Sequence, residues 1–288
     1  MGFSGVREFA TEQETVGKEW MSYFHKTGSP ALTAAGFWAD LSMAAGTPKY
    51  NAYVGTQAEG TPFVGSGNFG IYVPTPGSGE TLHIADLNIG TPSATFAPAT
   101  FLLCDYLYAY PLMDMDSTDV QAMDNSVAPV PRYADGKGVR AMIVTTTPQT
   151  ASARVNVSYT NDQGVAGQVS TVYTNTSNVG MIQGGYASGG AASTQGPFVP
   201  LASGDQGMRQ IDSIQLLASA GGFAAVVLVR PIAEIKIRER DTVAEISYLI
   251  NKRALPKVLN GAYLNFIFQS GATAISSVIR GFVRFAWS

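Results

Sequence analysis

"VRAMIVTTTPQTASARVNVSYTNDQGVAGQVSTVYT", residues 139–174, decides the fold. Its three runs, Val139–Thr146, Ala153–Thr160 and Gln168–Thr174, are rich in β-branched residues and alternate apolar with polar side chains. That period gives a strand one buried face and one wet face. Asn161-Asp162-Gln163-Gly164 stands between the last two runs, and its turn formers predict a hairpin. Further strands are expected downstream at Met208–Ala218, Ala224–Ile232, Ala262–Gln269 and Ser277–Trp287. In the last of these, Ile279, Val283, Phe285 and Trp287 face one way, while Arg280 and Arg284 face the other.

Upstream the pattern breaks into shorter pieces. Residues 47–98 are studded with Gly and Pro, and Tyr50–Val54, Phe69–Val73 and Leu82–Ile89 read as extended segments between turns. The dense aromatic run TFLLCDYLYAY at 100–110 suits either a buried strand or a short helix. Residues 6–27 read as a loose amphipathic helix or an arm lying on a neighbour. Ser29-Pro30 predicts the start of a helix that ends near Gly46. The strongest helix signal opens at Asp241. Thr242 and Glu245 have capping-box spacing, Val243, Ile246, Leu249 and Ile250 form one stripe, and Pro256 ends it. Residues 175–200 are a long Gly/Ser/Ala loop, of a length that marks function or flexibility.

The expectation is therefore a mainly β protein, a β-sandwich or jelly-roll-like domain, with an N-terminal arm or subdomain and one short helix near 243–254. The division expected is 1–98 for the arm and Gly/Pro-rich subdomain and 99–288 for the sandwich. Composition agrees: 45% of the 288 residues are apolar and only 14% are charged, with 31 Gly and 15 Pro. That excludes disorder and fits a helical bundle poorly. No repeat of 20–50 residues is visible, which argues against a solenoid or propeller.

Net charge is −3, so nothing overall points to nucleic acid. Residues 1–205 hold 8 Lys/Arg against 16 Asp/Glu; residues 206–288 hold 10 against 5. Such asymmetry can orient one copy against another. The single cysteine, Cys104, allows neither an internal disulfide nor a cysteine-based zinc site. The first residues lack the pattern of a signal peptide, and no apolar stretch is long enough to span a bilayer. Synthesis in a cytoplasm, with no membrane partner, is the expectation.

Chemistry-bearing motifs are few. Gly65-Ser66-Gly67-Asn68-Phe69-Gly70 matches a dinucleotide fingerprint, but Pro74 and Pro76 follow where a helix is required. His25 and His83 are isolated, which disfavours a histidine metal centre or a serine triad. "PLMDMDSTDVQAMDN" at 111–125 is the one dense acidic stretch. Asp114, Asp116 and Asp119 begin like a calcium loop, yet Asp119 stands at the glycine position and Asn125 at the bidentate glutamate position. The favoured reading is a turn whose carboxylates take backbone N–H groups, with a bound cation as the weaker one and a glycosidase pair weaker still. The basic residues Arg230, Lys236, Arg238 and Arg240 interleave with Glu234, Glu239 and Asp241, which reads as a solvated or interface surface.

PKYNAYVGTQAEGTPFVGSGNFGIYV, DYLYAYPLMDMDSTDVQAMDN, PRYADGKGVRAMIVTT and GAYLNFIFQSGATAISSVIRGFVRFAW together resemble virion proteins encoded by tailed bacteriophages. The likeness is one of whole phrases and covers most of the chain. It implies a non-enzymatic structural protein of the particle, attached to the capsid as an auxiliary or decoration component. Its partners would be the major capsid protein and copies of itself, with no cofactor. It supplies no catalytic residues. Contact candidates are Phe9, Trp20 and Phe24 as apolar anchors, Tyr186 in the long loop, and Arg238 and Arg240 in the basic cluster. The rival expectations are a tail, collar or fibre protein of the virion, and a carbohydrate-binding β module whose Tyr and Trp stack on sugars.

Overall fold

A computed structural model describes residues 5–27, 36–65, 67, 69–92, 97–184, 196–239, 241–251, 254–271 and 278–288. In chain order these form α1 (Val6–Val16), β1 (Glu19–Thr27), β2 (Trp38–Asp40), β3 (Ala45–Thr47), β4 (Thr61–Pro62), β5 (Leu82–Gly90) and β6 (Ala99–Asp114). Next come β7 (Gln121–Ala122), β8 (Arg140–Thr147), β9 (Ala153–Asn161), β10 (Gln168–Thr174), β11 (Met181–Gln183) and β12 (Met208–Leu216). The rest are β13 (Phe223–Ile237), β14 (Ala244–Ser247), α2 (Tyr248–Asn251), β15 (Lys257–Val258), β16 (Leu264–Ser270) and β17 (Val278–Trp287). The protein is mainly β, and its sheets curl into a half-barrel and a barrel.

The stretch at 139–174 forms its three strands, but only β9 and β10 keep one wet face; β8 lies in the barrel wall with both faces covered. β9 and β10 pair from Gln168↔Tyr159 to Thr174↔Ala153. Asn161 makes the turn: its Oδ1 accepts from Gln163 N at 3.0 Å and Val165 N at 2.9 Å. Gly164 supplies the positive φ, 83°, that a side chain would resist.

Strand order explains the barrel. The seven-stranded sheet runs β13-β8-β11-β2-β16-β6-β4, and β13 also pairs with β6. β4 hangs off β6, so the other six strands close a ring. Alternation along β13 sorts the side chains. Ala225, Val227 and Val229 point inward with Trp38, Cys104, Tyr106, Met142, Val144, Ile182 and Ile267. Ala224, Val226 and Leu228 point outward and pack on Val155, Val157, Tyr159, Ile211 and Ile214 of the four-stranded sheet β10-β9-β12-β7. Farther along, Phe101, Leu103, Ile235, Phe266 and Phe268 meet Phe24, Ile84, Leu87, Val283 and Phe285 of the half-barrel. The half-barrel is β14-β5-β17-β1-β3, with β15 also on β5. Each fully buried large side chain contributes about 1.5–3 kcal/mol.

This answers the ambiguity at 100–110. β6 and β13 have both faces covered, so they read as continuous apolar runs rather than alternating ones. A sixteen-residue strand, not a helix, results. Register shifts between Leu228 and Val229 and between Pro231 and Ala233 let the paired strands turn from one flanking sheet toward the other.

Five sequence expectations are corrected. The helix expected from 242 begins as a strand: Ala244–Ser247 pairs with Ile89–Asp86, and only Tyr248–Asn251 is helical. Val243 is 57% exposed and Ile250 82% exposed, so the apparent stripe never shares a buried face. Pairing with β5 overrides the local signal. The helix expected from Ser29-Pro30 to Gly46 begins outside the described residues, and its described part is β2, a 3-10 turn at Leu41–Met43 and β3. Asp40 caps that turn, its carboxylate accepting from Ser42 N at 2.8 Å. Residues 6–27 are no single helix or arm: α1 ends at Gly17, φ 65°, and β1 follows inside the half-barrel. Tyr50–Val54 forms no ladder, and 69–73 makes a single bridge, Ile71↔Leu264.

Backbone ladders cross the 98/99 boundary. β1 pairs with β17 over nine residues, from Glu19↔Ala286 to Thr27↔Val278, and β5 pairs with β17 on its other side. Gly281 sits where these strands close on each other, and a Cβ there would strike Asn88 O and the Phe24 ring.

Candidate functional site

The acidic stretch is a turn held by its own side chains. Asp114 Oδ1 accepts from Asp116 N at 2.9 Å, and Ser117 Oγ accepts from Asp119 N at 3.2 Å. Ser219 Oγ donates to Asp116 Oδ1 at 2.7 Å, tying the loop to the strand connection opposite. Gln121 clamps Asp114 through both its backbone groups, at 2.8 and 2.7 Å. Asp124 takes Ser126 N and Oγ, which holds its carboxyl below the usual range. Among the described residues no three His, Cys, Asp or Glu side chains converge as a metal site.

The structure instead brings together two buried acids that sequence reading did not single out. Asp40 lies fully buried in the barrel. Its carboxylate accepts from Tyr106 Oη at 2.7 Å and Ser42 N at 2.8 Å, and also from Tyr53 Oη. Burial pushes its pKa up, and those donors oppose the shift. Asp105, also buried, takes Arg132 in a fork, Nε to Oδ2 at 2.9 Å and Nη2 to Oδ1 at 2.7 Å. Tyr263 N adds a third bond to Asp105, at 2.9 Å. Arg132 also donates to the Phe63 and Tyr106 carbonyls, both at 2.9 Å. Burial raises the Asp105 pKa and the guanidinium pulls it back. Each carboxylate accepts three hydrogen bonds from the chain itself, which ties β2 and β6 to the segments around them.

Lys26 is a further buried charge. Its Nζ donates to the Ala44 carbonyl at 3.1 Å and to the Pro48 carbonyl. Burial lowers its pKa to about 8. Cys104 is enclosed in the barrel, and burial pushes its thiol far above the usual range, which makes it inert as a nucleophile. His25 and His83 stay apart: His25 faces Arg280 in the ladder, while His83 pairs with Ala286 and Lys257.

The contact candidates named from the sequence divide between core and surface. Phe9 is buried against Ala85 and Ala286, and Phe24 lies in the core below the half-barrel. Both therefore anchor this chain's own elements rather than a neighbour. Trp20 differs: it is 49% exposed at the start of β1. Its ring centroid lies 5.5 Å from that of Tyr72, itself 53% exposed. On the outer face of the half-barrel Tyr23, 69% exposed, meets Phe282 edge-on at 6.1 Å. His25 and Arg280 flank that pair. Arg238 is exposed on the rim of an open cavity of about 640 Å³ that runs from Glu234 to Ile246. Lys236 there is matched by Glu234 at 2.9 Å, so the surface is mixed in sign. Tyr186 and Arg240 lie outside the described residues.

No family model matches this chain, and no characterised protein matches it. Among solved structures it is similar to one described as "Structure of infectious bursal disease virus Gt strain", at 8% identity, over 97% of this chain and 86% of that one. The TM-score is 0.18, which carries no argument about fold or function.

Proposed function

We propose that this chain is a non-enzymatic structural component of a tailed-bacteriophage virion, mounted on the capsid shell through contacts with the major capsid protein and with copies of itself. The sequence phrases that resemble virion proteins support this reading. The observation that carries it is the Tyr23–Phe282 pair, presented outward on a sheet in which β1 and β17 lock each other. Aromatic side chains on a rigid support lose little entropy on contact and dominate interface energetics. The buried acids and Lys26 are occupied by their own chain, which fits an assembly role better than catalysis.

Localising the chain in an intact particle by cryo-electron microscopy tests this. A shell component recurs over the capsid lattice with its β1/β17 face against a neighbour. A tail, collar or fibre protein would instead sit in a small ring on the tail axis.

A further inference from the structure

We infer that the open edge of β10 pairs with the β10 edge of a second copy, antiparallel about a two-fold axis at Thr171, so that the four-stranded sheets of two copies join as one. The inference deepens the contact between copies proposed above and rests on that reading for its place in a particle. The pairing itself belongs to the chain in solution. β10 ends the sheet order β10-β9-β12-β7 and pairs with β9 alone. Every second residue of such a strand turns its N–H and C=O away from its one neighbour. Among the described residues, only β9 bonds to the β10 backbone.

A bare sheet edge templates pairing with another chain, so edges are normally guarded by charge, proline or a bulge. Other open edges of this protein are guarded in that way. β13 beyond Val229, where β8 stops, carries Pro231, Glu234 and Lys236. β1 before His25, where β3 stops, carries Glu19, and β14 carries Glu245. β10 reads QVSTVYT. It has no charge, proline or glycine, and it lies on β9 without a bulge. Val169 in it is 58% exposed.

Register and charge select the occupant. Alternation along β10 buries Ser170, Val172 and Thr174 and leaves Val169, Thr171 and Tyr173 on the outer face. Antiparallel pairing of the strand with itself about Thr171 sets Val169 opposite Tyr173 of the second copy, and Thr171 opposite its own counterpart. An aromatic on a β-branched residue and threonine on threonine are favourable cross-strand pairs. Tyr173 is already held: its hydroxyl accepts from Arg154 Nε at 2.7 Å, and that guanidinium lies 5.2 Å from the ring centroid. Little freedom is therefore lost on contact. With no charge in the strand, nothing in it repels an identical strand, and nothing in it selects a charged peptide. The pair adds about six to eight backbone hydrogen bonds. It closes at two copies, because a two-fold contact uses the same edge of both. One strand edge is a small interface, below about 1,200 Å², so the association is weak.

The test is sedimentation velocity of the full chain between about 5 and 500 µM, the span of weak contacts. A monomer–dimer equilibrium is expected. Thr171→Lys and Thr171→Glu should each weaken it tenfold or more, because like charges then face each other at the axis. An equimolar mixture of the two variants should dimerise again. Thr171→Cys should cross-link into a dimer on mild oxidation, whereas Val165→Cys, exposed in the hairpin turn beyond the ladder, should not. Thermal melting checks that each variant is folded, and Val169→Lys replaces any Thr171 variant that is not. A monomer across the whole range would overturn the inference, whether its β10 edge amides exchange freely with solvent or are protected by another segment of the chain. Association that Thr171→Lys and Thr171→Glu leave unchanged would overturn it too, by assigning the contact to another face. Neither result moves the position of the chain on a capsid, which is read from the particle.

Discussion

The Arg132–Asp105 fork is the residue pair whose loss the fold should feel most. Removing one partner strands a buried charge, which costs about 3–5 kcal/mol. Arg132→Met should therefore lower stability by about that amount in chemical denaturation. A change under 1 kcal/mol would contradict the burial of the pair. Lys26 gives a pH signature. Its folded pKa, about 8, lies below its ordinary 10.5, so between those values the unfolded chain binds more protons and stability rises with pH. Above pH 10 the tyrosines reverse the trend, because burial pushes Tyr159, Tyr248 and the half-buried Tyr133 up to about 12. Denaturation curves should thus show stability climbing from pH 8 to 10, and Lys26→Met should flatten that climb. An equal slope in the variant would exclude Lys26 as its source. At this scale the acidic turn was legible, because Asp and Ser act on backbone groups two residues away. Asp40 and Lys26 were not legible. Asp40 meets Tyr106 across 66 positions and Lys26 meets Ala44 across 18, and nothing local signals either partner. Asp105 left a trace, a charge inside TFLLCDYLYAY, where burial demands a partner.

Elements with simple alternation could be read directly: β5, β9, β10 and β17 stand where their periodicity puts them. Those that defeated the pattern did so for two physical reasons. Short strands such as β2 and β11 carry too few residues for a period, yet their pairings complete the barrel. The 243–250 segment has a helical stripe that tertiary pairing overrides. That difference can be measured. If β14 pairs with β5, Ile250→Glu and Val243→Glu should each change stability by less than about 0.5 kcal/mol, as exposed substitutions do. Ile246→Glu should cost several times more, because Ile246 packs against the core below the half-barrel. A helix would instead make all three comparably costly.

Across the whole molecule, the chain's ends are woven together. The net-positive segment 206–288 supplies β12 to the four-stranded sheet, β13 and β16 to the barrel, and β14 and β17 to the half-barrel. The charge imbalance in the sequence is therefore spread through every layer and does not mark two separable halves. In the proposed lattice role, orientation would come from local features such as the Tyr23–Phe282 face. Tyr23→Asp should leave melting unchanged, since Tyr23 is exposed, and should reduce incorporation into particles. Intact incorporation would assign lattice contact to another face. The most direct measurement is the position of this chain in an intact virion by cryo-electron microscopy. The account predicts density repeated across the capsid shell, with the β1/β17 sheet against a neighbouring subunit. Density confined to the tail axis, or none in the particle, would contradict it.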